Sequence, residues 1–223
     1  DMRIDEVDRP ETAPDETVIT TKHYAIRPSM DPETARDLGH RLEAFLRLYN
    51  QQFRFPLEEL NERLAVRLFD SRAEYEAYLH ERIGETPAPF VYLHYPAAQD
   101  RELVGYVADD FSDEALIHHS FVQFLRAFVP NPPLWIREGF GVYFAHIRYD
   151  DGFQRAVYRE NLAWLETLKQ MISEDSPRQW IPWDELLRMS PADVQETGES
   201  FYPQAWGLVS FLLHDETRET NRL

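Results

Sequence analysis

Apolar positions along this chain recur first with a period near two and later with a period near 3.6, so strands are expected ahead of helices. Residues 1 to about 17 are acidic and proline-bearing, show neither period, and read as a tail or extended arm. Thr17 to Ile26 is β-branched and aromatic enough for a strand. Asp31 followed by Pro32 then marks a helix start, with a capping carboxylate ahead of a proline at the first helical position. Leu38, Leu42, Phe45, Leu46 and Tyr49 continue that helix on one apolar face. Leu64, Val66 and Leu68 alternate as a half-buried strand ending at Asp70. Ser71 and Glu74 form a capping box for a helix over roughly 72–82, which Gly84 stops.

Two short strand-like runs follow, Phe90–Tyr95 and Glu102–Ala108, placed to form a hairpin. From residue 113 the period is helical: about 113–129, 134–148, 153–172 and a last helix from about Ser200 to His214. Prolines 130, 132 and 133 separate the first two. The expected fold is α+β, a single domain over 18–223 with a strand-rich half (18–111) and a helical half (112–223).

Composition narrows the function classes. The chain of 223 residues carries 40 acidic and 23 basic side chains, a net charge of −17. Such a surface repels phosphate backbones, so nucleic acid is not expected as a partner. No apolar run approaches the roughly 20 residues of a membrane helix. Cysteine is absent, which removes disulfides, thiolate metal sites and a cysteine nucleophile together. Ser120 lacks a nucleophile elbow around it, and the eight glycines form no phosphate-binding loop. Asp109–Asp110 and Asp150–Asp151 read as solvated turns.

Three segments carry the candidate chemistry: Leu116–Phe124, Pro133–Phe144 and Tyr202–Leu213. Together they resemble the gluzincin zinc metallopeptidases, most closely a bacterial branch of the peptidase-MA-like superfamily. In that group one helix carries His-Glu-x-x-His, often followed by Gln. A second opens with Pro-x-Trp-x-x-Glu-Gly-x-Ala-x-Tyr-Phe, and a later one reads Tyr-x-Gln-x-Trp-x-Leu-Val-x-Phe-Leu. The resemblance runs from about residue 18 onward and implies a zincin-like α+β fold with a small mixed or antiparallel sheet. Histidines at i and i+4 can reach one zinc ion from a single helix face, and the intervening glutamate is the general base.

On that pattern His118 matches the first histidine, Glu138 the third ligand and Gln123 the glutamine. His119 stands where the catalytic glutamate belongs, Val122 replaces the second histidine, and Val142 occupies a position where an acid is common. Valine offers a metal no donor. His119 could in principle act as a base, but lies about 100° around the helix from His118.

The resemblance therefore implies a catalytically degenerate relative that binds no cofactor and holds a peptide or protein ligand in a remnant cleft. It favours an exported or periplasmic setting. The alternative is a zinc-dependent hydrolase with a rewired site of His118, Glu138 and either His146 or His94. Glu138 also reads as a simple ion-pair or cap partner of Arg137. Gly139 and Gly141 are expected to let helices approach closely, and Trp135, Tyr143, Phe144, Trp206 and Phe211 to lie in the core. Trp164, Trp180 and Trp183 read as core or as an exposed binding surface.

Overall fold

A computed structural model describes residues 18–84, 89–107, 113–173 and 179–214. The acidic segment 1–17 and the Asp109–Asp110 pair lie outside them. The architecture is α+β. A five-stranded mixed sheet occupies the N-terminal half, and the C-terminal half is mostly helical.

The first expected strand is two strands, β1 (Ile19–Thr20) and β2 (Tyr24–Ser29), paired antiparallel. The break between them has a tertiary cause. Glu43, on helix α1 (Pro32–Phe53), draws the intervening turn onto its carboxylate. The Thr21 hydroxyl and the His23 backbone N–H each donate to Glu43 Oε1 at 2.7 Å, and His23 Nδ1 lies 2.8 Å from Oε2.

Burial pushes the Glu43 carboxyl up, but the hydrogen bonds from His23 and Thr21 outweigh it and hold it below the usual glutamate range. That stabilisation is complete above the unfolded glutamate value of about 4.3 and is lost as pH falls through the lower folded one. Glu43→Gln is accordingly expected to cost roughly 2 kcal/mol at pH 7. In urea melts the gap to the unsubstituted protein should narrow below about pH 4; a gap that ignores pH would refute the assignment.

Helix α1 begins as its sequence dictates, with Asp31 accepting from Glu33 and Thr34 N–H groups. Leu38, Leu42, Phe45, Leu46 and Tyr49 are all buried. Next come β3 (Leu64–Phe69) and α2 (Arg72–Ile83), the latter capped by Ser71 and ended by Gly84 at φ 70°. β4 (Phe90–Leu93) and β5 (Glu102–Tyr106) form the expected antiparallel hairpin. The sheet order is β1-β2-β3-β5-β4, with β2, β3 and β5 mutually parallel and β4 at one edge.

Helix α3 (Asp113–Phe128) packs against the sheet and against α4 (Leu134–Phe144). Gln123 of α3 donates to the Ala65 carbonyl at 2.8 Å, just before the β3–β5 pairing begins at Val66. The helix expected over 134–148 stops at Phe144. The one expected over 153–172 starts late, because a small hairpin intervenes: β6 (Arg148–Asp150) and β7 (Arg155–Val157). Asp150 Oδ1 accepts the Phe153 N–H inside its loop. Helix α5 (Leu162–Met171) follows, capped by Asn161. After a single turn, α6 (Trp183–Leu186), comes α7 (Pro191–His214), which starts well before Ser200. Ser190 and Asp193 cap it reciprocally, and it bends at Thr197.

One apolar cluster joins the sheet to the helices, from Tyr24 on β2 to Val209 on α7. Its centre is aromatic: Tyr49, Phe121 and Phe144 meet with ring centroids 4.9–5.4 Å apart. The buried Tyr49 hydroxyl donates to the Ile117 carbonyl at 2.9 Å, tying α1 to α3. Tyr143, Phe144 and Trp206 are buried as expected, and Trp135 packs against the core. Phe211 is not a core residue: it faces outward on the last turns of α7, 59% exposed. No helix among the described residues is long and apolar enough to cross a membrane.

Candidate functional site

Helix α3 divides its residues by face. Ile117, Phe121, Phe124 and Leu125 enter the core, while Ala115, His118, His119, Val122 and Arg126 line a cavity of about 1030 Å³. Apart from the adjacent His118 and His119, the second set is spaced by three or four residues, which is one stripe of a helix. Opposite it, α4 contributes Arg137, Glu138 and Val142. Tyr92 and His94 close one end from β4 and the residues after it, and Trp164 of α5 and Tyr202 of α7 contribute further wall.

Two glycines let α4 fit between its neighbours. A Cβ on Gly141 would stand 2.5 Å from His118 Cε1, so the imidazole lies in the notch that this glycine leaves. A Cβ on Gly139 would stand 2.8 Å from the Ala205 carbonyl oxygen on α7. Both distances are shorter than nonbonded atoms tolerate, so backbone approach on both sides of α4 depends on the missing side chains.

His118 Nε2 consequently lies 3.4 Å from Glu138 Oε2, and Arg137 Nε donates to Glu138 Oε1 at 2.7 Å. Burial pushes the Glu138 carboxyl up, but His118 and Arg137 more than compensate and hold it at about 2. It is an anion with both oxygens engaged by its own protein. His119 stacks edge-on against His118 with ring centroids 5.1 Å apart. Burial first, then the charge of His118, keeps His119 neutral, pushed down to about 3 despite Glu138. A base that weak accepts protons poorly at neutral pH.

His118, His119, Glu138 and His94 line one cavity. His146 does not join them. Helix α4 ends at Phe144, so His146 is not carried two turns along its face but sits in the following loop, where Nε2 meets Nδ2 of Asn161. The Tyr92 hydroxyl lies 3.2 Å from His94 Nδ1. Burial, then Arg126, Arg101 and Arg137, lower the His94 pKa.

A catalytic zinc is held by three protein ligands and keeps a position for water. His118 and Glu138 would supply two. Val122 has no donor atom, and the Arg137 guanidinium competes for the carboxylate. Among the described residues, no three His, Asp or Glu side chains group as ligands. The described side chains do not fit such an ion.

The sequence reading missed Arg126, Tyr92 and Tyr202 as wall residues. Arg126 was findable, being four residues beyond Val122 and eight beyond His118 on the same helical stripe. The lining carries two arginines, Arg126 and Arg137, and two acids, Glu114 and Glu138.

Fold and site together define an α+β domain with a cleft of mixed polar and apolar lining between two helices and an edge strand. Residues 114–223 match the model of a family described as a protein of unknown function, DUF1570. No curated protein matches the chain. The matched stretch holds the α3, α4, α5 and α7 walls of the cleft, whereas Tyr92 and His94 lie outside it.

Proposed function

We propose that this chain is a catalytically degenerate relative of the gluzincin zinc peptidases, which holds an extended polypeptide in its cleft without cutting it. The observation that carries this reading is the 3.4 Å approach of His118 to Glu138 beside an apolar Val122. Two residues matching the peptidase ligand pattern meet across adjacent helices, and the third position has become hydrocarbon.

The walls suit a polypeptide: Tyr92, Trp164 and Tyr202 supply amphipathic surface, and ionised groups lie between them. The second reading, a metal-dependent hydrolase with a rewired site, now rests on His94 alone as the further ligand, because His146 is turned toward Asn161.

Incubation with fluorescein-labelled casein, with and without added zinc or chelator, separates the two. Casein is expected to stay intact in every condition and to co-elute with the protein on size exclusion. Cleavage that chelator abolishes would establish the hydrolase instead. His118→Ala and Glu138→Ala would then each remove the metal and the activity.

A further inference from the structure

We infer that the end of the cleft near His94 is a carboxylate-binding subsite anchored by Arg126; this rests on the polypeptide-binding reading above and adds what the cleft recognises. The chain has 40 acidic side chains against 23 basic ones, so acceptors for a guanidinium are plentiful. Other arginines of the chain have found acceptors. Arg137 is paired with Glu138, Arg101 donates to the carbonyls of Tyr95 and Pro96, and Arg41 holds Asp113 and Asp151.

Arg126 has not. Its Nε is buried with no hydrogen-bond partner, and among the described residues no carboxylate lies within ion-pair distance of it. It nevertheless forms part of the cavity wall, together with Tyr92 and His94. The charged groups that bear on it are Arg137 and Arg101, which repel it, and Glu138, which attracts it but is already committed to His118 and Arg137. Burial first and these arginines next lower its pKa, so the charged form is kept at a cost.

A half-buried guanidinium whose Nε has no acceptor carries a desolvation cost that an incoming oxyanion relieves. Carboxylate suits the fork best, because two oxygens meet two N–H groups in one plane. The Tyr92 hydroxyl supplies a further polar group beside it. Within a polypeptide that carboxylate comes from the chain terminus or from an acidic side chain.

Three pools of N-acetylated hexapeptides distinguish the sources. The first is randomised over uncharged residues with a free C-terminal acid, the second is the same pool as C-terminal amides, and the third is the amide pool with one Glu. Immobilised protein is expected to retain the first or the third roughly tenfold more than the second. Preference for the first assigns the terminus, and preference for the third assigns the side chain. Arg126→Gln should reduce both to the level of the neutral amides while melting at the same temperature, and Arg126→Lys should keep part of the preference. Equal retention of all three pools overturns the carboxylate subsite and leaves the polypeptide reading standing. Retention of none overturns both. A preference that survives Arg126→Gln removes Arg126 as its anchor.

Discussion

Replacing His119 by Glu and Val122 by His together is expected to turn the cleft into one that takes up about one zinc ion per chain, read by plasma mass spectrometry. Position 122 lies one helical turn beyond His118 on the stripe of α3 that faces the cavity, so a histidine there enters beside His118. Glu138 Oε2 is already 3.4 Å from His118 Nε2 and would complete three ligands. Arg137 engages the other oxygen, Oε1, so a metal between His118 and Oε2 would replace only the contact those two now make with each other. Losing even an outer partner of a ligand costs about 10–100-fold in metal affinity, so gaining a direct one should exceed that range. The unsubstituted protein, equilibrated with the same zinc, should retain much less than one equivalent. One equivalent already present in it, or none in a folded double variant, would end the degenerate-peptidase reading.

The largest expected loss of stability follows Gly139→Val. Its Cβ would stand 2.8 Å from the Ala205 carbonyl and 3.0 Å from Val209 Cγ2, and the first of these belongs to backbone that cannot rotate away. Overpacking typically costs about 1–3 kcal/mol, and the branched side chain puts this site at the upper end or above. At this chain length that is roughly 6–12 °C in melting temperature. Gly84→Ala is the internal control: φ is +70° but nothing lies within 4 Å, so only backbone strain of about 1 kcal/mol is expected. Equal melting losses for the two variants would show that α4 and α7 part easily.

The elements that could be read in the sequence are those specified locally. Asp31 with Pro32, and Ser71 with Glu74, carry their capping chemistry within a few residues, and both helices start where those signals stand. The split between β1 and β2 could not be read, because its cause is a carboxylate twenty residues away on α1. The β6–β7 hairpin was legible in principle. Asp151–Gly152 is a turn signal, but apolar residues on either side gave it a helical period. In the site, His118 and Glu138 were found through motif spacing. Arg126 was not, because what distinguishes it is the lack of an acceptor around Nε, and only a packed structure reveals that.

The strand order has a consequence in time. β3 pairs in parallel with β2 and with β5, so each partner is reached only after a long crossover has been closed. Such pairings are slow, since the entropy of closing the loop is lost before any contact rewards it. The walls of the cavity are drawn from residues as far apart as Pro89 and Tyr202. On the ribosome, therefore, the cavity cannot be complete until Tyr202 has emerged, long after the sheet could have paired. A partner that recognises the whole of it would ignore nascent chains and engage only molecules that have finished folding.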